Sequence, residues 1–320
     1  LMFRADSLGT TQSTGNAWQK RMALPWRYVP GLRVSERRFL AVWFAVLLVA
    51  VPLVSVLYRL TTPSDEIWAH LSSTVLPLYI QNSLMLVLGT AVGSLVIGVG
   101  CAWLVATTAF PGRRWLRWAL LAPAALPAYV VAYAYTDILQ AAGPIQTGIR
   151  DLFGVTVDQY WFPPIRSMGG AIVVMTAVFF PYVYIFTLVA FATQAQRATE
   201  IARSLGRSTW KSFWTVAIPL ARPAIIGGLA LVIMETLADF GTVQHFGIPT
   251  FTTGIYRTWF AMGAPLAATK LAAYLLLAIG LVIALEYLLR GRGRMTHEGR
   301  NATDSVFIHP RASLAWLACI

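Results

Sequence analysis

Apolar runs of about twenty residues recur along this chain and constrain its fold more than any other feature. An α-helix needs about twenty apolar residues to cross the hydrocarbon core of a bilayer. Only 12% of the residues are charged, against about 25% in an average soluble domain. The sequence therefore predicts an all-α, polytopic transmembrane helical bundle. The predicted spans cover approximately residues 39–58, 82–106, 119–139, 170–193, 221–237 and 271–289.

The segments outside these runs suggest how the chain is organised. Residues 1–38 are polar and basic, which indicates a cytoplasmic N-terminal tail. Residues 39–290 form the predicted six-span domain, and residues 291–312 are expected to be a cytoplasmic linker. The apolar stretch 313–320 is too short to cross a bilayer. We interpret it as the start of a truncated seventh span.

The distribution of basic residues predicts the orientation of the spans. Of the 25 Lys and Arg residues, 20 fall in the two terminal tails, the loop between spans 2 and 3, and the loop between spans 4 and 5. Cytoplasmic loops carry such an excess. The N-terminus and the 194–222 loop are therefore predicted to be cytoplasmic. The net charge of +12 then reflects membrane topology, and we expect no binding to nucleic acid.

Two spans carry residues that predict how they pack. Gly89 and Gly93 form a G-x-x-x-G pattern in the second span, and small residues let helix backbones approach closely in lipid. Pro123 and Pro127 lie in the third span. Proline removes a backbone donor, so we expect this span to bend.

The 194–222 loop is long for a connection between bundle helices, and its residues predict a folded element. Apolar residues recur at helical spacing on one face, whereas Glu200 and Arg203 lie off that face, free for an aqueous partner. Gly206 is expected to end this helix, and Ser208 is expected to cap a second one. The apolar face comprises Ala198, Ile201, Ala202 and Leu205.

The second short helix is predicted to carry an aromatic surface. Trp210, Phe213 and Trp214 follow the capping serine, and Pro219 and Pro223 are expected to end the element before the fifth span. These features indicate a helix–turn–helix on the inner membrane face, with aromatic side chains at lipid depth and charges toward water. The alternative is an interfacial amphipathic hairpin that has no partner.

The sequence of this loop resembles that of a known family. E-I-A-R-S-L-G, W-K-S-F and V-A-I-P-L-A-R-P are similar to the EAA loop of permease subunits in binding-protein-dependent ABC importers. Ile201 departs from the usual Ala, and the Ile of the closing motif replaces a frequent Leu. The resemblance implies a type I ABC importer permease fold in a bacterial inner membrane, with the loop in a cleft of a cytoplasmic ATP-binding subunit. The matching residues are Glu200, Ala202, Gly206, Ile218 and Pro219.

A second resemblance covers Met234–Phe260, which is similar to the segment after span 5 in ferric-iron-type permeases. Those permeases often carry two six-span halves in one chain. The resemblance implies ferric iron delivered by a periplasmic substrate-binding protein, and a second permease half that is fused or separate. On this interpretation the chain is the N-terminal half of such a permease. Thiamine, polyamine and sulfate permeases share the architecture and remain alternatives.

A few polar side chains near the predicted outer surface are further candidates. Glu235 and Asp239 are four residues apart, and acidic residues near a membrane are functional candidates. Two interpretations of this pair are open: the two carboxylates line a translocation path, or they are solvated residues at a helix end. We expect no cofactor and no metal site: His245 has no spaced partners, and three tyrosines indicate an aromatic belt rather than iron ligands. These are Tyr129, Tyr133 and Tyr135.

Several absences bear on function. The sequence has no G-x-x-x-x-G-K-[ST] motif, so ATP hydrolysis is expected on a partner subunit and the chain itself is not expected to be an enzyme. An intramembrane enzyme acting on lipid would need clustered acids, His or Ser within the spans. An ion-driven secondary transporter would need charges deep in the spans. Cys101 and Cys319 lie in apolar runs, and we interpret both as buried free thiols.

Overall fold

The computed structural model describes residues 36–63 and 66–290, which form helices joined by short connections. The chain divides into two compact units, residues 1–55 and 56–320. The described part of the first unit belongs to helix α1 (Glu36–Tyr58), an apolar helix that contains Pro52. The linker and the seventh span predicted for residues 291–320, and Cys319 with them, lie outside the described residues.

The other helices follow α1 in chain order, with 3-10 and π-helical turns between some of them. They are α2 (Glu66–Thr74), α3 (Leu76–Thr107), α4 (Arg113–Ala119), α5 (Ala128–Leu139), α6 (Pro144–Phe153), α7 (Met168–Ala190), α8 (Gln196–Ser204), α9 (Thr209–Ser212), α10 (Ile218–Ala238), α11 (Gly241–Phe246), α12 (Phe251–Tyr256) and α13 (Pro265–Arg290).

Five helical segments in the described residues are long and apolar enough to cross a membrane, and a sixth crossing results if one bent pair counts as a single span. The prediction of six spans agrees with the larger count. The helices extend beyond most of the predicted boundaries, because periodicity fixes the centre of a span better than its ends. The five segments are Val42–Thr61, Leu76–Thr107, Met168–Thr193, Thr209–Ala238 and Pro265–Arg290.

The third span is broken rather than merely bent, so the prediction of one helix over 119–139 is wrong. A 3-10 turn (Ala122–Ala125) follows α4, and the chain is extended at Leu126 and Pro127 before α5 begins. The two parts meet at 97°. Pro127 cannot donate a backbone hydrogen bond, and proline disfavours helical backbone at the residue before it.

Close contacts of α3 and α10 with α7 form the main core. A Cβ added at Gly93 would lie 2.6 Å from Thr176 Oγ1 of α7, and one at Gly98 would lie 2.8 Å from Val183 Cβ. On the other side of α7, a Cβ at Gly228 of α10 would lie 2.9 Å from Val183 Cα. These distances confirm the prediction that small residues allow close helix packing. The core is rigidly packed at α7.

A second apolar cluster lies at the opposite end of α3 from the 194–222 loop. Trp68 of α2 stacks on Tyr274 of α13 at 5.7 Å between ring centroids. Lys270 is almost fully buried there, and its ammonium group donates to the carbonyl oxygens of Thr62 and Pro63 at 3.0 and 3.2 Å. A buried ammonium group needs such acceptors. This contact fixes the start of α13 to the chain that precedes α2.

Candidate functional site

The first arm of the 194–222 loop continues the helix before it. A π-helical turn (Phe191–Ala195) joins α7 directly to α8. π-turns insert an extra residue into a helix and occur often at functional sites. α8 is therefore a direct helical continuation of α7.

Gly206 ends α8, as the sequence predicts. Its φ of +88° lies in the left-handed region that favours glycine. The Gly206 amide donates to the Arg203 carbonyl at 2.9 Å, and the Arg207 amide donates to the Ala202 carbonyl at 3.1 Å. This pair of bonds is a Schellman motif, which satisfies the last carbonyls of the helix. The turn between the two arms is therefore a defined structure.

The second arm begins where Ser208 caps α9, which the sequence also predicts. Ser208 Oγ accepts a hydrogen bond from the Lys211 amide at 3.3 Å. Arg207 Nη1 donates to Thr215 Oγ1 at 2.9 Å, which holds the turn against this arm. The two arms thus form the compact helix–turn–helix expected from the loop sequence.

The expectation that Pro219 and Pro223 end the second arm is wrong. A π-helical turn (Phe213–Ala217) joins α9 to α10, and the helical segment Thr209–Ala238 is continuous. Pro219 is the second residue of α10, directly after this turn. Both arms of the loop are therefore extensions of membrane helices through a π-turn.

An aromatic cluster anchors the base of the loop to α3. Phe213 is buried, and its ring lies 4.9 Å from Trp103 of α3, measured between centroids. Trp103 also contacts Phe191 edge-on at 5.4 Å, so one indole joins both arms. Trp210 and Trp214 complete the cluster against Phe213 and remain largely exposed. Only part of the predicted aromatic surface therefore faces outward.

Two large aliphatic side chains, Ile201 of α8 and Leu205 directly after it, are exposed, which differs from one expectation. Ile201 is 62% exposed and Leu205 is 79% exposed, whereas Glu200 and Arg203 are partly buried. Glu200 and Arg203 are therefore less open to an aqueous partner than predicted, and the placement of the apolar face on the inner membrane face stays a prediction. The predicted apolar face is divided: Ala198 and Ala202 are partly buried, whereas Ile201 and Leu205 are exposed.

The remaining motif residues lie at the two ends of the loop. Ala202 is partly buried on α8, and its carbonyl accepts one of the two bonds of the Schellman motif. Ile218 packs against the core cluster, and its amide donates to the Phe213 carbonyl to close the second π-turn. Pro219 is exposed next to it. Glu200, Ala202 and Gly206 thus shape the first arm, and Ile218 and Pro219 shape the exit into α10.

Glu235 and Asp239 differ in their surroundings. Glu235 is exposed on α10, whereas Asp239 follows the end of that helix. The Asp239 carboxylate accepts hydrogen bonds from the Thr242 amide at 2.9 Å, the Val243 amide at 3.2 Å and the Thr242 hydroxyl at 3.1 Å. Burial raises the pKa of Asp239, although these donors oppose the shift. Asp239 thus stabilises the start of α11.

Sequence reasoning missed an open apolar cleft of about 340 Å³ near this site. Tyr256 lies between Phe240 and Phe260, at 4.9 and 4.8 Å from their ring centroids. The spacing of aromatic residues at 256, 259 and 260 is helical and could have indicated a shared face. The lining residues are Phe240, Thr252, Ile255, Tyr256, Trp259 and Phe260.

His245 joins α11 to α5 beside the three tyrosines, all of which are exposed. The Thr136 hydroxyl donates to the Ala132 carbonyl, so it accepts from His245 Nε2 at 3.0 Å. Burial and the positive charge of Arg166 lower the pKa of His245, against the opposing effect of Asp137. Among the described residues, no group of three or more His, Cys, Asp or Glu side chains is placed to hold a metal ion. Cys101 is a partly buried free thiol.

A match to a known protein family shows to which family the chain belongs. Residues 94–294 match the family described as binding-protein-dependent transport system inner membrane component. The chain belongs to this family of ABC importer permeases. The match covers the whole 194–222 loop and the helices on either side of it. The type I permease fold and the multi-pass inner-membrane placement follow from this membership and from the apolar helices.

Curated relatives of this permease carry different substrates in their names. The chain is 25% identical over 224 residues to the Fe(3+)-transport system permease protein FbpB 2 of Haemophilus influenzae. This alignment covers 70% of the chain and 40% of that protein. The chain is 31% identical over 153 residues to the molybdenum transport system permease protein ModB of Escherichia coli. This alignment covers 48% of the chain and 64% of that protein. The chain thus spans less than two thirds of each of these two relatives.

A sulfate relative and two solved structures complete the comparison. The sulfate transport system permease protein CysT of Escherichia coli is 25% identical over 218 residues, 68% of this chain and 75% of that protein. The crystal structure of a bacterial ABC transporter that imports the acidic polysaccharide alginate matches 87% of this chain and 96% of its own, with a TM-score of 0.63 and 15% identity. A second alginate transporter structure, in complex with a pentasaccharide-bound periplasmic protein, gives a TM-score of 0.62 at 16% identity, covering 79% of this chain and 91% of its own. These structural matches indicate a shared fold.

Proposed function

We propose that this permease is the transmembrane subunit of an ATP-driven importer, with its N-terminus and the 194–222 loop in the cytosol. ATP hydrolysis takes place on a cytoplasmic ATP-binding subunit, and a periplasmic substrate-binding protein delivers the substrate. The alginate transporter with a bound periplasmic protein supports the second partner. A second permease half, fused or separate, completes the pathway through the lipid bilayer.

The observation that carries this proposal is the exposed aliphatic face of α8. Ile201 and Leu205 are exposed at the end of a helix that a Schellman motif closes and a π-turn precedes. Exposed apolar side chains on an ordered element mark a surface that a protein or a membrane covers, and the position of these two beside the turn of the loop favours a protein. A cleft in the ATP-binding subunit would cover this face, and Glu200 would lie at its edge.

The contacts at the base of the loop give the proposal a mechanism. Movement of the ATP-binding subunit displaces α8, and the π-turns pass the displacement to α7 and α10. The Trp103 indole, in contact with Phe191 and Phe213, passes it to α3. A packed core has discrete arrangements rather than continuous ones. The three helices therefore move between inward-open and outward-open states.

Substitution of Gly206 tests the coupling role. Gly206→Val places a β-branched residue at a φ of +88°, which costs about 1–2 kcal/mol and distorts the turn. Asparagine tolerates this backbone region, so Gly206→Asn is the matched variant. We expect Gly206→Val to reduce co-purification of the ATP-binding subunit and uptake at least tenfold, and Gly206→Asn to retain most of both. Normal uptake by Gly206→Val would contradict the proposed role of the loop.

Ferric iron is the first candidate substrate. The iron permease relative aligns with 70% of the chain, and the Met234–Phe260 segment resembles ferric-iron-type permeases. An oxyanion, molybdate or sulfate, is the second candidate, because the molybdenum relative has the higher identity, 31%, over a shorter segment. The two candidates differ in charge sign, which makes them easy to separate by direct transport measurements.

The substrate test uses vesicles that contain the permease with its ATP-binding subunit and binding protein. Labelled ferric iron, molybdate and sulfate are supplied in parallel, with ATP inside or outside the vesicles. ATP-dependent uptake of iron alone supports the first candidate, and uptake of an oxyanion alone supports the second. Uptake that does not depend on ATP and is abolished by a proton uncoupler would instead indicate an ion-driven secondary transporter.

Glu235 and Asp239 remain the proposed residues of the translocation path. Glu235 is the more direct candidate, because its side chain is exposed whereas the Asp239 carboxylate stabilises α11. The apolar cleft lined by Phe240 and Tyr256 adjoins this region. Glu235→Gln should change the apparent affinity for a charged substrate and leave the amount of folded protein unchanged.

A further inference from the structure

Helix α4 is a second exposed element at the same end of the bundle as the 194–222 loop. It consists of R-R-W-L-R-W-A and follows α3 after a short turn. Arg114, Trp115, Arg117 and Trp118 are all exposed, with Trp115 and Trp118 at 75% and 68%. Two arginines and two tryptophans thus alternate along one side of a single short helix.

The inner side of α4 is fixed to the bundle at three points. Arg113 Nε donates to the Val105 carbonyl of α3 at 2.7 Å. The buried Tyr184 hydroxyl of α7 donates to the Arg117 carbonyl at 3.1 Å. Leu116 packs against the core cluster. These contacts determine which side of α4 faces outward, so the exposed arginine–tryptophan face is held in place.

The depth of α4 follows from its neighbours. The membrane-spanning helix α3 ends at Thr107, and the chain bends by 97° between the α4 segment and α5. An element at this position lies at the end of a span, where lipid headgroups meet water. Tryptophan prefers this boundary, and arginine binds phosphate through paired N–H donors. No Asp or Glu occurs between residues 67 and 136.

From these observations we infer that the exposed face of α4 binds the headgroups of anionic phospholipids. The Arg114 and Arg117 guanidinium groups contact the phosphate, and the Trp115 and Trp118 rings lie among the glycerol and upper acyl groups. The charge and the paired tryptophans favour a lipid surface over a soluble protein partner. Under the proposed orientation, this face meets the cytoplasmic leaflet, which is the leaflet reached by the ATP-binding subunit.

Native mass spectrometry of the purified full chain, titrated with phosphatidylglycerol or phosphatidylcholine, tests the inference without any transport step. We expect the wild type to retain phosphatidylglycerol preferentially. Each arginine near an anionic lipid contributes about fivefold in affinity, so Arg114→Gln with Arg117→Gln should weaken retention about 20-fold. The double variant Arg114→Lys with Arg117→Lys should keep most of the charge-dependent retention of phosphatidylglycerol.

The control is Arg166→Gln with Arg257→Gln, which removes the same charge from two other exposed arginines. This variant should bind phosphatidylglycerol like the wild type. Equal loss in both double glutamine variants, or no preference over phosphatidylcholine, would overturn the inference. Full displacement of the lipid by millimolar inorganic phosphate would also overturn it, because the site would then bind free phosphate. Failure of this test would leave the proposed import function unaffected.

Discussion

The 194–222 loop and the 239–264 segment are both compact helical connections, but they are held in opposite ways. The 239–264 segment is tied to distant residues: Asn82 Nδ2 donates to the Pro249 carbonyl at 2.9 Å, and the Phe251 amide donates to Ser83 Oγ at 3.4 Å. The hydrogen bonds that define the turn of the loop are local, and aromatic contacts with Trp103 hold the base of the loop against α3.

This difference indicates what each segment does. The 239–264 segment has its backbone groups bonded to α3, so it behaves as part of the bundle wall. The 194–222 loop keeps its internal shape and offers Ile201 and Leu205 outward. An element that has a defined internal structure, is anchored at its base by aromatic contacts and exposes apolar side chains is suited to move with a partner.

Truncating the aromatic base should have the largest effect on stability. Phe213 is 7% exposed and contacts Trp103, Trp210 and Trp214. Phe213→Ala leaves a cavity, and losses of this type cost about 3–5 kcal/mol. We expect a clear fall in the thermal midpoint of the detergent-purified protein, measured by size-exclusion chromatography after heating.

The matched variant for this experiment is Trp214→Ala, whose side chain is 55% exposed. It removes a larger ring from the same cluster and should lower the midpoint much less. If both variants lose the same stability, the base of the loop is not the anchor and the contrast with the 239–264 segment fails.

A charge on the outer side of the loop should abolish partner binding and leave folding intact. Leu205 is 79% exposed on α8 and Leu152 is 78% exposed on α6, so the two sites are matched in burial. Leu205→Glu should weaken co-purification of the ATP-binding subunit at least tenfold, because charge at a buried interface core costs about 2 kcal/mol or more.

Leu152→Glu serves as the control and should leave co-purification unchanged. Thermal midpoints of both variants should stay near that of the wild type, since neither side chain is packed in the core. A wild-type level of the ATP-binding subunit with Leu205→Glu would show that the exposed aliphatic face has another role.

The smallest expected effect concerns the cap of the 239–264 segment. Asp239→Ala removes the acceptor of three hydrogen bonds at the start of α11 and should cost about 1 kcal/mol. Asp239→Asn keeps one acceptor oxygen and should restore part of this stability. Hydrogen exchange of the α11 amides would report the change directly. If the α11 amides are equally protected in all three proteins, Asp239 does not stabilise α11, and only its proposed role in the translocation path remains.

Local chemistry made part of the loop predictable. Gly206 and Ser208 act within a few residues of themselves, so a left-handed turn and a helix cap follow from residue type and spacing. The apolar periodicity of α8 was equally visible. What such a pattern lacks is direction: spacing groups Ile201 with Leu205 but does not say whether membrane, protein or solvent faces them.

The features that sequence reasoning missed depend on distant contacts or on register. Trp103 contacts Phe213 of the loop across about 110 residues of chain, and no local pattern indicates that pairing. The expected break at Pro219 is absent, because the π-turn Phe213–Ala217 and α10 form one continuous helical segment. The aromatic cleft near Tyr256 combines Phe240, which precedes α11, with residues 252–260, which follow it.

Disulfide crosslinking in the assembled importer tests the central claim most directly. Leu205→Cys is combined with single cysteines along the cleft of the ATP-binding subunit, in a background without Cys101, and Leu152→Cys serves as the parallel control. We predict efficient crosslinks from residue 205 whose yield changes when ATP is bound, and none from residue 152. Absence of any crosslink from residue 205 in a transport-competent complex would contradict the account of this loop as the element that the ATP-binding subunit moves.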